Sequence, residues 1–177
     1  MHDLGILLDS ELTMKQHHSQ VARSCFYQLR RLRQICRYTG QDVAMQLVCA
    51  LILSRLDYCD SVLAGLPKST LAILLHVQNA AARLILELRL YYMYYISDAL
   101  HQLQWLPVDH RIQFKLCVLM HSAHTNRCPK YLIGILKPAA KYCLQPDLRS
   151  STSKNYILPC LHSRLGERAF AYASPLA

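Results

Sequence analysis

Glycine is scarce in this chain, at 5 of 177 residues, and no glycine-rich run able to cradle phosphates occurs, so a Walker-type or dinucleotide-binding loop is excluded. Gly-x-Ser-x-Gly is missing too, and the nine histidines show no local pairing with an acid and a nucleophile, which leaves no catalytic residue to nominate. The eight cysteines, at 25, 36, 49, 59, 117, 128, 143 and 160, form no Cys-x-x-Cys and no zinc-finger rhythm. Met1-His2-Asp3 lacks the basic start and unbroken apolar stretch of an export signal. The thiols are therefore expected to be reduced core residues of an intracellular protein, nuclear or cytoplasmic. Long apolar runs are also lacking. The most apolar, Leu47 to Leu53, is followed at once by Arg55 and Asp57, far short of the roughly 20 residues a membrane span requires. Acidic residues are few, 11 against 20 Lys+Arg for a formal charge of +9, an excess that favours a polyanionic partner, nucleic acid before acidic protein or membrane.

What is present is helical periodicity. A chain of this length can bury roughly 70% of its unfolded surface in one domain. The first helix is predicted from Thr13 to Tyr38, stopped at Gly40 in a left-handed conformation. Ala22, Cys25, Leu29, Leu32 and Cys36 recur at offsets of three and four and mark its buried face. Beside that face runs a second stripe, Arg23, Tyr27, Arg30, Gln34 and Arg37, with Arg31 and Arg33 adding charge. Guanidinium groups bond phosphate bidentately and a tyrosine packs on sugar or base. The bland reading is a solvated helix flank. The nucleic-acid-binding residues nominated are Arg23, Tyr27, Arg30, Arg31, Arg33 and Arg37.

The second helix, Asp42 to Tyr58, is given Asp42 as its N-cap and is apolar on nearly every side from Val43 to Leu53, which places it in the middle of the domain. Arg55 then needs a partner, with Asp57 and Asp60 nearest. Asp57-Tyr58-Cys59-Asp60 is not read as a two-metal carboxylate pair, because such carboxylates normally converge from a strand or hairpin and these lie at a fraying helix end. The third helix, Ser69 to Arg89 with Ser69 as cap, buries Leu71, Leu74, Gln78, Ala81 and Ile85, while Ala80-Ala81-Ala82 permits close approach of a neighbour. Its other side carries His76, Asn79 and an Arg83–Glu87 pair. Leu90-Tyr-Tyr-Met-Tyr-Tyr-Ile96 has two readings, a base-stacking platform or packing and drift in a decaying element, and the second is preferred.

A short helix near Asp98 to Gln104, a Trp105-Leu106-Pro107 turn and a helix from Val108 to His124 follow. In the last, Ile112, Leu116, Leu119, Met120 and Ala123 face inward, and Arg111 with Lys115 makes a small basic patch. Cys117, His121, His124 and Cys128, spaced 4, 3 and 4, are the best metal candidate, but one straight helix cannot wrap four ligands around an ion, so no metal and no cofactor is assigned. Beyond Asn126, prolines break the chain into short pieces, including a helix near Lys130 to Leu136, and Arg149 to Lys154 reads as a loop.

Three segments, in order, carry a resemblance: Ser54-Arg-Leu-Asp-Tyr-Cys-Asp-Ser-Val-Leu-Ala-Gly-Leu-Pro67, Val77-Gln-Asn-Ala-Ala-Ala-Arg-Leu-Ile85, and Leu103-Gln-Trp-Leu-Pro-Val-Asp-His-Arg-Ile-Gln-Phe-Lys-Leu116. With Leu4-Gly-Ile-Leu-Leu-Asp9, Cys128-Pro-Lys-Tyr-Leu132 and Gly166-Glu-Arg-Ala-Phe170, they resemble the region downstream of the palm in LINE-type (non-LTR) retrotransposon reverse transcriptases, particularly jockey-like elements. The resemblance implies a thumb and C-terminal segment that grips an RNA/DNA or RNA duplex. In that family the metal-binding aspartates lie upstream in a Tyr/Phe-Ala-Asp-Asp turn, and no such turn occurs here, so the chain is not expected to be an enzyme on its own. Its partners would be nucleic acid and the missing polymerase palm, without membrane. Its ends suggest a fragment or a truncated reading frame.

The expectation is thus a mainly α protein, a helical bundle with a short N-terminal strand and an irregular C-terminal tail. Residues 1–125 would form a thumb-like domain and 126–177 a C-terminal extension. The alternative function is a retrotransposon relic or a small helical protein-interaction module.

Overall fold

The computed structural model describes residues 2–3, 5–88, 96–138, 156–161, 163 and 166–176. The Tyr91–Tyr95 and Arg149–Lys154 segments lie outside them. The protein is mainly α, as its periodicity requires, and divides into two compact units, Met1–Ile112 and Gln113–Ala177. The division falls within a helix, earlier than the expected boundary after residue 125.

In the first unit, β1 (His2–Asp3) and β2 (Ile6–Leu7) pair antiparallel across a turn where Gly5 takes φ 84°, a value glycine adopts without strain. Then come α1 (Lys15–Ile35), α2 (Gln41–Val48), a π-helical segment Cys49–Leu53, α3 (Ser54–Leu56), a 3-10 turn Asp60–Leu63, α4 (Lys68–Ile85) and α5 (Ile96–Gln102). The most extensive helix packing is between α1 and α4. It is built from the stripes the sequence marks: Ala22, Cys25, Leu29 and Leu32 of α1, and Leu71, Leu74, Gln78, Ala81 and Ile85 of α4, are all buried. Ala81 and Ala82 are fully enclosed, the small side chains letting the neighbouring backbone approach.

Several local expectations are corrected. Gly40 has φ −63° and ψ 163° and serves as N-cap of α2, so it is not the left-handed stop of α1. Asp42 lies in the first turn of α2 and is not its cap, although its carboxylate still suits the positive end of the helix dipole. The predicted second helix runs without a gap over residues 41–56 but passes through the π segment after Val48, which shifts the register of its faces. Val43, ahead of that segment, and Leu51, within it, are exposed, so the element does have an outer side. Arg55 donates to Ser24 Oγ of α1 instead of pairing with an aspartate. No side-chain cap bond forms at the start of α4, where Pro67 occupies the cap position in place of Ser69.

The helix α6 (Val108–His124) starts and stops where its periodicity predicts, with Ile112, Leu116 and Ala123 buried and Leu119 and Met120 partly so. In the second unit, α7 (Lys130–Ile135) follows, Pro138 and Tyr156 form an isolated antiparallel bridge, and α8 (Phe170–Ala173) comes after a 3-10 turn at Gly166–Arg168. Among the described residues no helix is long and apolar enough to cross a membrane.

Candidate nucleic-acid interface

The three segments that carry the resemblance are joined in the first unit by two polar contacts. Asp57, from the first, accepts a charge-assisted bond from Arg111 Nη1, from the third. Gln78, from the second, donates its Nε2–H to the backbone carbonyl of Leu106, in the third, at 2.7 Å. The Arg111–Lys115 patch is thereby reduced, since the Arg111 charge is already answered. Asp57 is spent on this ion pair and Asp60 is buried at the head of a 3-10 turn. Among the described residues no three His, Cys, Asp or Glu side chains gather as metal ligands, neither here nor at Cys117, His121, His124 and Cys128.

The arginine stripe has the opposite surroundings. With about 100° between successive residues, Arg23, Tyr27, Arg30 and Gln34 fall in one sector that faces away from the buried stripe of α1, further round than the flanking position expected, while Arg37 lies just beyond the helix, where that spacing does not apply. All six nominated residues, Arg23, Tyr27, Arg30, Arg31, Arg33 and Arg37, are exposed. Tyr27 shows 59% of its surface. Arg31 stacks over it with its guanidinium carbon 5.9 Å from the ring centroid, a cation–π contact of about 0.5–1 kcal/mol at an exposed site. That contact holds a planar cation and an aromatic ring together on the surface, the pairing that suits phosphate and base.

No aspartate or glutamate occurs between Glu11 and Asp42 in the sequence, and among the described residues none of the five arginines has an acidic partner. The helix can lack compensating acids because its stability comes from the other face. Cys25 at the centre of that face is fully enclosed, and burial pushes its thiol above the ordinary range, Arg55 partly opposing.

Three features of this surface are not among the sequence-nominated residues. Tyr38, just beyond α1, is 91% exposed and Phe26 is also on the surface, so aromatic rings flank the arginines. Phe26 could have been found from its place one turn before Arg30. Arg83 is the third. It reads in the sequence as one half of an Arg83–Glu87 helix pair, but α4 ends at Ile85 and Glu87 lies past it at φ 52°, so the helical spacing does not apply. Arg83 instead lines a groove of about 420 Å³ with Arg33 and Arg37.

No family model, no curated protein and no solved structure matches the chain.

Proposed function

We propose that this chain is the nucleic-acid-gripping thumb and C-terminal portion of a LINE-type reverse transcriptase, holding an RNA/DNA or RNA duplex on the outer face of α1. In this reading DNA synthesis belongs to a palm domain carrying the metal-binding aspartates, and the chain supplies grip alone. The observation that carries it is the surface itself: four exposed arginines and a cation–π-stacked tyrosine on α1, with Arg37 exposed just beyond its end, and no acidic partner among the described residues. Arginines so placed are free to displace counterions from a phosphate backbone, which makes binding strong at low salt and steeply salt-dependent. The order of the three signature segments supports the choice of parent family.

The test is equilibrium binding to an RNA/DNA duplex over a salt series. Arg23, Arg30 and Arg37 changed together to Glu should weaken binding and reduce the slope of log K against log salt by about one for each phosphate no longer neutralised. A control that reverses Arg127, Lys130 and Lys137 in the second unit reaches the same net charge and should leave most of the affinity. Equal losses in the two variants would assign binding to net charge and remove α1 from the argument. A second reading, a helical protein-interaction module descended from such an element, is favoured by the exposure of Phe26 and Ile35 on the same helix. It requires that the wild-type chain not bind duplex in near-physiological salt.

A further inference from the structure

The C-terminal turns of α1 and α4 lie side by side, and between them is the groove of about 420 Å³ lined by Arg33, Arg37, Arg83 and Glu87, with Leu84 and Leu88 as its apolar part. A second hollow of about 330 Å³ shares Cys36, Leu84, Glu87 and Leu88 with it, so the depression continues toward α2. Each volume falls in the range of sites that hold small organic groups. Three guanidinium groups, one from α1, one from the turn just beyond it and one from α4, therefore line one depression. Among the described residues neither they nor Glu87 form an ion pair. Basic residues often sit at helix C-termini only to answer the dipole, but here two such ends converge on one concavity.

Glu87 is the unusual member. The Leu88 N–H bonds back to the Arg83 carbonyl at 3.1 Å and the Leu86 N–H to the Ala82 carbonyl at 3.1 Å. This closes α4 with a Schellman-type turn in which Glu87 occupies the left-handed position, φ 52°, normally given to glycine. The turn thus brings a carboxylate-bearing residue to a groove whose other charged lining is cationic. For a ligand that is purely anionic it would only repel. It is useful to a ligand that carries a hydroxyl donor next to its phosphate.

We propose that this groove seats one nucleotide unit of an RNA strand, Arg33, Arg37 and Arg83 binding its phosphates and the Glu87 carboxylate accepting a hydrogen bond from the ribose 2′-hydroxyl. The proposal rests on the nucleic-acid reading of α1 and adds to it Arg83 as a phosphate ligand and Glu87 as the residue that tells RNA from DNA, since the 2′-hydroxyl is what differs between the two.

The experiment is fluorescence anisotropy of the full chain with RNA and DNA oligonucleotides of the same sequence, each variant first checked for an unchanged circular-dichroism spectrum. Arg83→Gln should weaken RNA binding about tenfold and lower the salt slope by about one, and Arg83→Lys should restore part of the affinity. Glu87→Gln should lower the RNA-over-DNA preference about fivefold, the value of one net hydrogen bond, with DNA affinity unchanged or slightly raised. Wild-type affinity and preference in both Arg83→Gln and Glu87→Gln, alongside a loss in Arg23→Glu/Arg30→Glu, would overturn the groove and leave the α1 face standing. Wild-type chain that binds neither oligonucleotide overturns both. Losses in the groove variants with none in Arg23→Glu/Arg30→Glu uphold the groove and displace the face.

Discussion

Gln78 offers the sharpest measurement of what holds α4 against the Trp105–Pro107 turn. Its side chain is fully enclosed, its Nε2–H reaches the Leu106 carbonyl, and its Oε1 has no partner among the described residues. Replacement by leucine, of similar volume, deletes one hydrogen bond with a net value of about 1 kcal/mol, but it also removes a buried carbonyl oxygen whose desolvation costs about 1–3 kcal/mol. The two effects oppose each other, so Gln78→Leu should fall within about 1 kcal/mol of wild type or be slightly more stable. Gln78→Ala removes the same polar atoms and leaves a cavity as well, for a loss of about 2–4 kcal/mol. At a urea m-value of about 2 kcal/mol/M, the alanine variant should unfold at a midpoint about 1–2 M lower, and the leucine variant within about 0.5 M of wild type. Trp105, the single tryptophan, is buried next to Leu106 and reports the transition by fluorescence. A leucine variant as unstable as the alanine one would refute the reasoning, because it would mean that hydrogen bonding and not shape secures this contact.

Two further outcomes follow from the same helix pair. Burial raises the thiols of Cys25 and Cys36, with Arg55 and Thr39 respectively opposing; the folded state thus holds these protons more tightly than the unfolded state, so their stabilising contribution is complete below about pH 8.5 and is lost as pH rises through the folded values. Urea midpoints should therefore fall on going from pH 8 to pH 10, less so in Cys25→Ala, and a rise over that interval would reverse the sign. Arg33 sits three residues after Arg30 on α1, a like-charge spacing of about 0.2–0.5 kcal/mol. Arg33→Gln should stabilise the free chain by up to about 0.5 kcal/mol at low salt, with the gain vanishing near 1 M salt as screening shortens to about 3 Å; destabilisation at low salt would show that Arg33 has a partner.

The elements that were legible in the sequence are those whose ends and faces are set by local periodicity. The buried stripes of α1 and α4 and both ends of α6 follow from offsets of three and four and from Pro107, all of which are local. What failed was set by contacts distant in sequence or by backbone choices that composition does not reveal. The π segment at Cys49–Leu53 re-phases a helix without any glycine or proline to announce it. Arg55 chose Ser24 and Asp57 chose Arg111, partners separated by 31 and 54 residues, because tertiary packing and not proximity along the chain decides which charges meet. The same holds for the site: the arginine face was readable as a stripe, but the groove needed Arg83, whose relation to Arg33 and Arg37 exists only once α1 and α4 are packed.

The two faces of α1 are energetically separate, and this gives the functional reading a signature that folding alone cannot imitate. The inner face contributes burial, mostly apolar with His17 and His18 at its start, and carries none of the arginines. The outer face contributes charge, and in the free chain its arginines repel one another with no acidic partner among the described residues. A polyanion that binds there gains its own contacts and also removes that repulsion, and by linkage it stabilises the fold by about 2.7 kcal/mol at a hundredfold excess over its dissociation constant. Substitutions on the two faces must then differ in sign. Variants of the core against which the inner face packs, such as Gln78→Ala of α4, lower stability and weaken binding only through the unfolded fraction, so that excess ligand rescues both. Outer-face variants such as Arg30→Gln raise the stability of the free chain while weakening binding, and no excess of ligand within reach of the wild-type affinity restores it. A surface kept merely soluble by its charge would show the same stability changes on both sides of the helix but no stabilisation by polyanion for either kind of variant, which is why stability and binding measured on the same variants separate grip from simple solvation.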